Sequence, residues 1–509
     1  MTTALMARGG FLLSAACAGL LLLTACAGLL LLTACAVGPD FKTPAAPDVK
    51  TYGATQPLQT SAAEGEHGEV QKFVPGADIP AEWWTVFHSE PLNKLVEQAI
   101  KGNPDIAAAQ ASLREAQENT AAASGYLFPA VTGDWNSVRQ QTVGAQAGGS
   151  FPGSLYTLHT ATLNLSYGLD IWGGTRRAIE QYGALEDFQR FQLEAAYLTL
   201  TSNVVTAAIT EASLRGQIAM TQQIVGYEEK QLDVLQQQLD LGAIDRSAVL
   251  SQRTAVEQVR ATLPGLEKQL SQTRHQISVL LGKFPNEPPG ATFELSQLAL
   301  PQEVPLSVPS KLAERRPDVQ AAEASLHAAS AGIGIAEAAR LPQITLSADV
   351  GSQANAIDNL FSHGSWIWAF GGDAAQTIFD AGSLAHKQGA AEAEFERTAA
   401  EYRKTVLAAF LQVADTLRAI ETDAAALKAQ AAATSAADEN LGLSQIQYDA
   451  GSISYLNLLI TQQQAQQAKL ALVQAEAQRF IDTAALFQAL GGGWWNRKED
   501  ISKPSGNGD

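Results

Sequence analysis

Cysteine is missing from everything after residue 35, and the three cysteines the chain does have, Cys17, Cys26 and Cys35, fall nine residues apart at its start. A disulfide framework or a cysteine-based zinc site in the body of the protein is therefore excluded. Basic residues are also few. Lys and Arg number 34 against 52 Asp and Glu, and the net charge of −18 argues against nucleic acid or an anionic membrane surface as the main partner. No HExxH, GxSxG or P-loop occurs, and the seven histidines are dispersed. Gly332-Ile333-Gly334 is a fragment of a dinucleotide motif, set in an alanine-rich run with no strand before it. Neither an enzyme nor a metal or cofactor site is expected. Proline is absent from Thr175 to about Asp240 and again from Leu384 to about Asp449, so nothing in these runs interrupts a helix.

What the start of the chain does have is an uncharged stretch, residues 11 to 34, behind Arg8. Its length exceeds the roughly 7 to 15 apolar residues of a secretory signal. However, the nine-residue unit at 17 to 25 is copied letter for letter at 26 to 34, and one copy fewer restores an ordinary length. An uncleaved spanning helix is the alternative, since about 18 apolar residues suffice. Leu32-Thr33-Ala34-Cys35 reads as a lipobox, the pattern cut before an acylated cysteine. Leu23-Thr24-Ala25-Cys26 is an equal copy, and Cys17 a poorer one. Cleavage at Cys26 leaves "AGLLLLTA" beside the lipid, which makes Cys35 the better candidate. A lipid-bearing cysteine needs no thiol partner, and it places the protein in the cell envelope.

Residues 35 to 82 contain Pro39, Pro44, Pro47, Pro57, Pro75 and Pro80 among Gly, Ala and Thr, the composition of an extended tether with little core of its own. Trp83, Trp84 and Phe87 then form a packing cluster ahead of an amphipathic helix, an exposed ligand-binding tryptophan pair being the alternative. The strongest signal is an internal repeat. "NPDIAAAQASLREAQENTAAASGYLFPAV" matches "RPDVQAAEASLHAASAGIGIAEAARLPQI" at an offset of 213, and further on "LDLGAIDRSAVL" matches "YDAGSISYLNLL" at 209, with Gly242 on Gly451. The two proline-free runs predict helices of ~65 residues, each ~100 Å long, turning back at Gly242 or Gly451 to make two antiparallel hairpins. Val249, Val256, Leu263, Leu270 and Ile277 recur every seven residues, with Val259, Leu266 and Leu280 at the companion position, a coiled-coil seam that Pro264-Gly265 should kink.

Between the helices of each repeat the period changes to two. "LNLSYGLDIW" and "ITLSADV" alternate apolar with polar residues, and Trp366, Trp368 and Phe370 share one face as an interfacial girdle would. Strands are expected at about 128-142, 155-171, 343-353 and 364-379, long enough to cross an outer membrane, the alternative being a soluble sheet packed on a helix. Four strands cannot close a membrane barrel, and open edges are not tolerated in lipid, so several chains must share one.

In "CAVGPDF", "WW..F" with "PLNKLV", the doubled "PD" helix starts, "LDIWGGTRR", "IFDAGSL" and "ALFQALGGGWW", and above all in their order and duplication, the chain resembles the outer-membrane factor family that includes TolC and OprM, most closely its NodT-type lipoproteins. The resemblance implies a mainly α protein with a transmembrane β-barrel: two tandem repeats, long coiled-coil helices forming a periplasmic α-barrel, and four strands per protomer in a shared twelve-stranded barrel of a homotrimer. It divides the chain into a signal peptide (1-34), an acylated tether (35-82), a first repeat (83-300), a second repeat (301-495) and a tail (496-509). It implies an outer-membrane channel for efflux of small molecules such as drugs or toxic compounds, docked on a periplasmic adaptor (membrane fusion) protein and an inner-membrane pump such as an RND transporter. Alternatives are an exit duct for type I protein secretion and a non-conducting, lipid-anchored coiled-coil scaffold. The hairpin tips, Gly242, Asp245, Arg246, Gly451, Ser452 and Ser454, become the adaptor-docking residues. In better-known relatives the helix after the second turn carries acidic residues ringing the periplasmic entrance; the matching positions here are Asn457 and Ile460. Leu456 and Ile460 lie four apart on one helical face, and a threefold axis turns them into two apolar collars, although coiled-coil packing uses the same spacing. Asp240, Asp245 and Asp449 offer a charged ring at another level.

Overall fold

The computed structural model describes residues 36–53, 58–142 and 154–498. The signal-like run, Cys17, Cys26 and Cys35, and most of the loop from 143 to 154 lie outside the described residues. Helix dominates. α1 (Glu90–Gly102) and α2 (Pro104–Gly125) precede the first strand pair, β2 (Ala130–Thr142) and β3 (Ser154–Leu169), after which α3 runs from Gly174–Asp240 without interruption. The second repeat has α6 (Pro309–Arg315) and α7 (Pro317–Ala338), then β5 (Gln343–Ala354) and β6 (Trp366–Ala375), then α8 (Ser383–Asp449). α3 and α8 are each 67 residues long, ~100 Å at 1.5 Å per residue. In α8 the buried residues Val406, Val413, Ile420 and Leu427 recur every seven positions, with Leu417 and Ala424 in the companion register. This is a second heptad seam, hidden in the sequence by the surrounding alanines.

The returning helices differ between the repeats. In the second, α9 (Tyr455–Ala489) is continuous, whereas in the first the helix stops at α4 (Arg246–Arg260) and restarts at α5 (Leu263–Leu280). The expected kink is thus a break. It comes three residues ahead of Pro264, which sits in the first turn of the new helix, where its missing N–H is not needed. Val249 and Val256 are buried along α4, with Val259 half-buried, and Leu263, Leu266, Leu270 and Ile277 continue the covered row along α5.

All four long strands are antiparallel in one sheet of order β2-β3-β5-β6, so both β2 and β6 are edges. Residues directly opposite one another share a face. The row Trp135, Ala161, Ser352, Trp366 and the rows through Leu163, Val350, Trp368 and through Val131, Leu165, Ala348, Phe370 lie on one side of the sheet. Thr132, Asp134, Asn164, Ser166, Ser347 and Asp349 lie on the other, where the Asn164 amide donates to Asp134 (2.5 Å).

The chain divides into two compact units, Met1–Thr43 with Arg114–Asp187 and Glu323–Glu401, and Pro44–Leu113 with Phe188–Ala322 and Tyr402–Asp509. Each unit draws on both repeats. The second unit holds the main core, where Trp83, Trp84 and Phe87 are buried and Trp83 stacks on Phe487 with ring centroids 5.6 Å apart. The tether expectation for residues 35-82 needs correction. Lys72–Pro75 forms β1, pairing in parallel with β4 (Glu303–Leu306), and Thr60, Gln71, Phe73 and Ile79 are buried. Proline and glycine exclude a helix here but not an extended strap, whose backbone groups are satisfied by a strand and by side chains of the helices beneath.

Candidate functional site

Both long helices end in the same way. At the first turn the Gly242 N–H donates to Leu239 O (2.9 Å) and the Ala243 N–H to Gln238 O (2.8 Å). At the second the Gly451 N–H donates to Tyr448 O and the Ser452 N–H to Gln447 O, both at 2.8 Å. The two glycines have φ of +73° and +70° with open space around them, so it is the left-handed conformation that calls for glycine here, not crowding. The Schellman closure satisfies the last carbonyls and turns the chain sharply, leaving Gly242, Asp245, Arg246, Gly451, Ser452 and Ser454 exposed. Ser454 caps α9, its hydroxyl accepting from the Asn457 N–H at 3.4 Å. Asp240 and Asp449, at equivalent positions, each accept from the glutamine one turn earlier, Gln236 or Gln445, at 3.0 Å.

Leu456 is 61% exposed and Ile460 44%, and Asn457 is exposed beside them. The seam within the chain instead takes Leu458, Leu459, Gln462 and Ala465, all buried. Leu456, Ile460, Gln463 and Gln467 therefore form one exposed stripe along α9, apolar near the turn and polar beyond it.

Sequence reasoning missed what joins the two hairpins. Glu228 of α3 is buried, and its carboxylate accepts from the Gln252 amide of α4 (2.5 Å) and from the Gln466 amide of α9. The Tyr455 hydroxyl donates to Gln252 Oε1, and Tyr448 packs edge-on against Tyr455 (5.7 Å) while reaching Gln238 at 3.4 Å. Burial, and next the Glu228 charge, push the Tyr455 phenol above its ordinary value, so it remains a donor. The network ties the ends of the two hairpins side by side. The one sequence signal was Gln252 itself, a polar residue three positions after Val249, in the companion register of the seam.

A second polar cluster holds the strap. Buried Arg479 of α9 donates to the carbonyls of His67 and Glu69 (3.0 Å for the latter) and to Gln71 Oε1 (3.2 Å). Near it the Asp423 carboxyl of α8 meets Asp482 of α9. Burial, with the hydrogen bond and charge of Asp482, pushes Asp423 up to about 8 against the pull of Arg479.

In the first unit the residues just after Cys35 are fixed. The Val37 N–H donates to Trp172 O (3.0 Å), in the loop between β3 and α3. Buried Arg177 donates to Val37 O and Gly38 O, both at 3.2 Å, and pairs with Asp40 (2.8 Å) and Glu180 (2.7 Å). Phe41 stacks on His327 at 4.4 Å. The "AVGPDF" and "TRR" motifs thus meet in space.

Among the described residues no helix is long and apolar enough to cross a membrane, and no group of His, Cys, Asp and Glu could hold a metal. The family model described as outer membrane efflux protein matches residues 95–283 and 308–492. The pyoverdine export outer membrane protein OpmQ of Pseudomonas putida is 32% identical over 421 residues, covering 81% of this chain and 88% of that one. The probable efflux pump outer membrane protein TtgC of Pseudomonas putida is 29% identical over 484 residues, covering 92% and 96%. The solved outer-membrane channel OprN superposes with a TM-score of 0.82 at 26% identity, over 90% of this chain and all of that one. The resemblance read from the sequence holds, and with it the α-barrel plus β-barrel fold and the outer-membrane location. The chain belongs to the outer membrane efflux protein family and is an outer-membrane channel component of a tripartite efflux system.

Proposed function

We propose that three copies of this chain close one twelve-stranded barrel across the outer membrane, continued by a helical duct through which small molecules leave the cell. A periplasmic adaptor and an inner-membrane pump, such as an RND transporter, supply the cargo. The four-stranded sheet carries this reading, because it has one largely apolar face, one polar face and two unpaired edges. Unpaired edges are tolerated in lipid only when another chain pairs them, and three sheets of this size make a barrel of ordinary strand number. The adaptor docks on the hairpin tips at Gly242, Asp245, Arg246, Gly451, Ser452 and Ser454. Leu456, Asn457 and Ile460 line the periplasmic constriction, where stacked apolar collars close by excluding water.

Cys35 carries the lipid. The clamp on residues 37 to 41 supports this, since it holds the chain two residues beyond that cysteine at the end of β3. Ala36 follows it, not the Asp that commonly retains lipoproteins in the inner membrane.

The test is light scattering of the detergent-purified protein, followed by planar-bilayer recording. A homotrimer that conducts is expected, and a monodisperse folded monomer overturns the barrel. Mass spectrometry of the mature N-terminus should find acyl chains on Cys35; finding them on Cys26, or an uncleaved start, refutes the anchor.

A further inference from the structure

The loop after β3 and the loop after β6 are equivalents in the two repeats, and each carries an isoleucine followed by an aromatic residue: Ile171-Trp172 in the first, Ile378-Phe379 in the second. Their surroundings differ. Trp172 is half-buried, and its indole N–H donates to Pro342 O at 2.7 Å. Ile171 and Trp172 share one hollow with Ala338, Ala339 and Gln343, where α7 runs into β5 of the other repeat. Ile378 is 91% exposed and Phe379 87%, and such a pair is costly to leave in water.

The repeat shows what is missing. At the offset of 213 residues, the seat of Trp172 at Ala339 and Pro342 corresponds to Tyr126 and Pro129, with Phe128 between them, just before β2. Tyr126 lines the open side of the hollow that holds Trp172, yet it and Phe128 remain strongly exposed, at 76% and 70%. This exposed patch and Ile378–Phe379 cannot meet within one chain. β2 and β6 are opposite edges of the sheet, and the register Ala130–Ser166–Ser347–Gly371 puts the start of β2 and the end of β6 at the same end of it. When sheets join edge to edge in a ring, the patch after β6 of one copy comes against the patch before β2 of the next. The sizes fit that meeting. The smaller Phe379 replaces Trp172, while the larger Tyr126 replaces Ala339, and Phe379 has no ring N–H to leave unpaired.

We propose that Ile378 and Phe379 of one copy seat on the Tyr126–Pro129 segment of the next, as the contact between copies equivalent to the Trp172–Pro342 contact within one. The partner is a second copy of this chain, and the seam seals the wall where barrel strands give way to helices. This inference rests on the trimeric reading.

The body of the chain holds no cysteine after residue 35, so introduced thiols report without background. The full-length protein is purified with Phe128→Cys and Phe379→Cys together, and treated with a mild oxidant or a short bismaleimide. A ladder ending at covalent trimer on a non-reducing gel is expected, with neither single variant giving it. The internal equivalent, Trp172→Cys with Ala339→Cys, should crosslink without forming a ladder. Phe379→Asp should raise the protein concentration at which the oligomer half-dissociates by about tenfold or more. A trimer by light scattering that forms no ladder overturns the seam alone. A single Phe379→Cys variant that dimerises with itself also overturns it. So does a Phe379→Asp variant that loses membrane insertion while keeping its trimer, which assigns the patch to lipid. A monomeric parent protein overturns both the seam and the trimer.

Discussion

The Tyr455 hydroxyl donates to Oε1 of Gln252, across 203 positions of sequence, and so joins the returning helix of one hairpin to the returning helix of the other. Gln252 is fully buried and spends its amide on Glu228, so no water is at hand to replace the tyrosine. Tyr455→Phe leaves that oxygen unpaired, at a cost of about 1 to 3 kcal/mol. We expect amide hydrogen exchange to quicken at both turns, near Gly242 and Gly451, with little change in the sheet. Unchanged exchange at the first turn would mean the two hairpins are held together elsewhere.

At the constriction, Leu456→Ser with Ile460→Ser should raise single-channel conductance in planar bilayers, because both side chains are exposed within the chain and available to a collar. Asn457→Ala should change it little, and multivalent cations should block the parent channel only weakly. Unchanged conductance in the double variant, or tight cation block abolished by neutralising Asp449, relocates the gate to the acidic level nearer the turn.

The strap depends on Arg479, which is buried and donates to two strap carbonyls and to Gln71 Oε1. Arg479→Met keeps most of the packing volume but leaves three acceptors unpaired, with an expected loss of roughly 2 to 4 kcal/mol. Limited proteolysis should then cut faster between Thr60 and Lys72 than it does in the parent protein. Cleavage no faster than in the parent would show that β1 and Phe73 suffice to hold the strap.

The carboxyls beside this arginine predict an unusual pH dependence. Burial and Asp482 push Asp423 up to about 8, and burial with the Glu66 charge pushes Glu476 up to about 7. A raised carboxyl keeps in the folded chain a proton that the unfolded chain has already lost. Its stabilisation is therefore full below about pH 4 and disappears as pH rises through the raised value. Burial lowers His67 below its ordinary 6.5, so its contribution has the opposite sign and acts only at lower pH. Between about pH 6.5 and 8.5 the melting temperature should fall, and Asp423→Asn, which keeps a donor toward Asp482, should flatten much of that slope. Circular dichroism melts at stepped pH are the check; equal slopes in parent and variant would clear Asp423 of the effect.

The sequence by itself determined the large pattern, because that pattern rests on local chemistry. Long proline-free runs of good helix formers become long helices, and glycines at equivalent turns end them. Alternation of apolar and polar residues sets the two faces of the strands, and duplication makes each feature appear twice. Composition could not say what the proline-rich start does. Its backbone is extended in any case, and only distant partners, β4 and the Arg479 side chain more than 400 positions away, make it a packed strap in place of a tether. The same limit hid the heptad seam of α8 among alanines, since whether an alanine is buried depends on what lies opposite.

Tertiary structure alone decided which polar residues work together. Glu228, Gln252, Tyr455 and Gln466 carry no motif, and each is an ordinary surface residue type until the two hairpins pack side by side and remove water from among them. It also decided that Leu456 and Ile460 point away from the seam while Leu458 and Leu459 enter it, a choice that spacing of three and four leaves open. Likewise Ile171-Trp172 and Ile378-Phe379 read alike as sequence. One pair is half-buried and the other bare, a difference set by what packs around each loop and not by the pair itself.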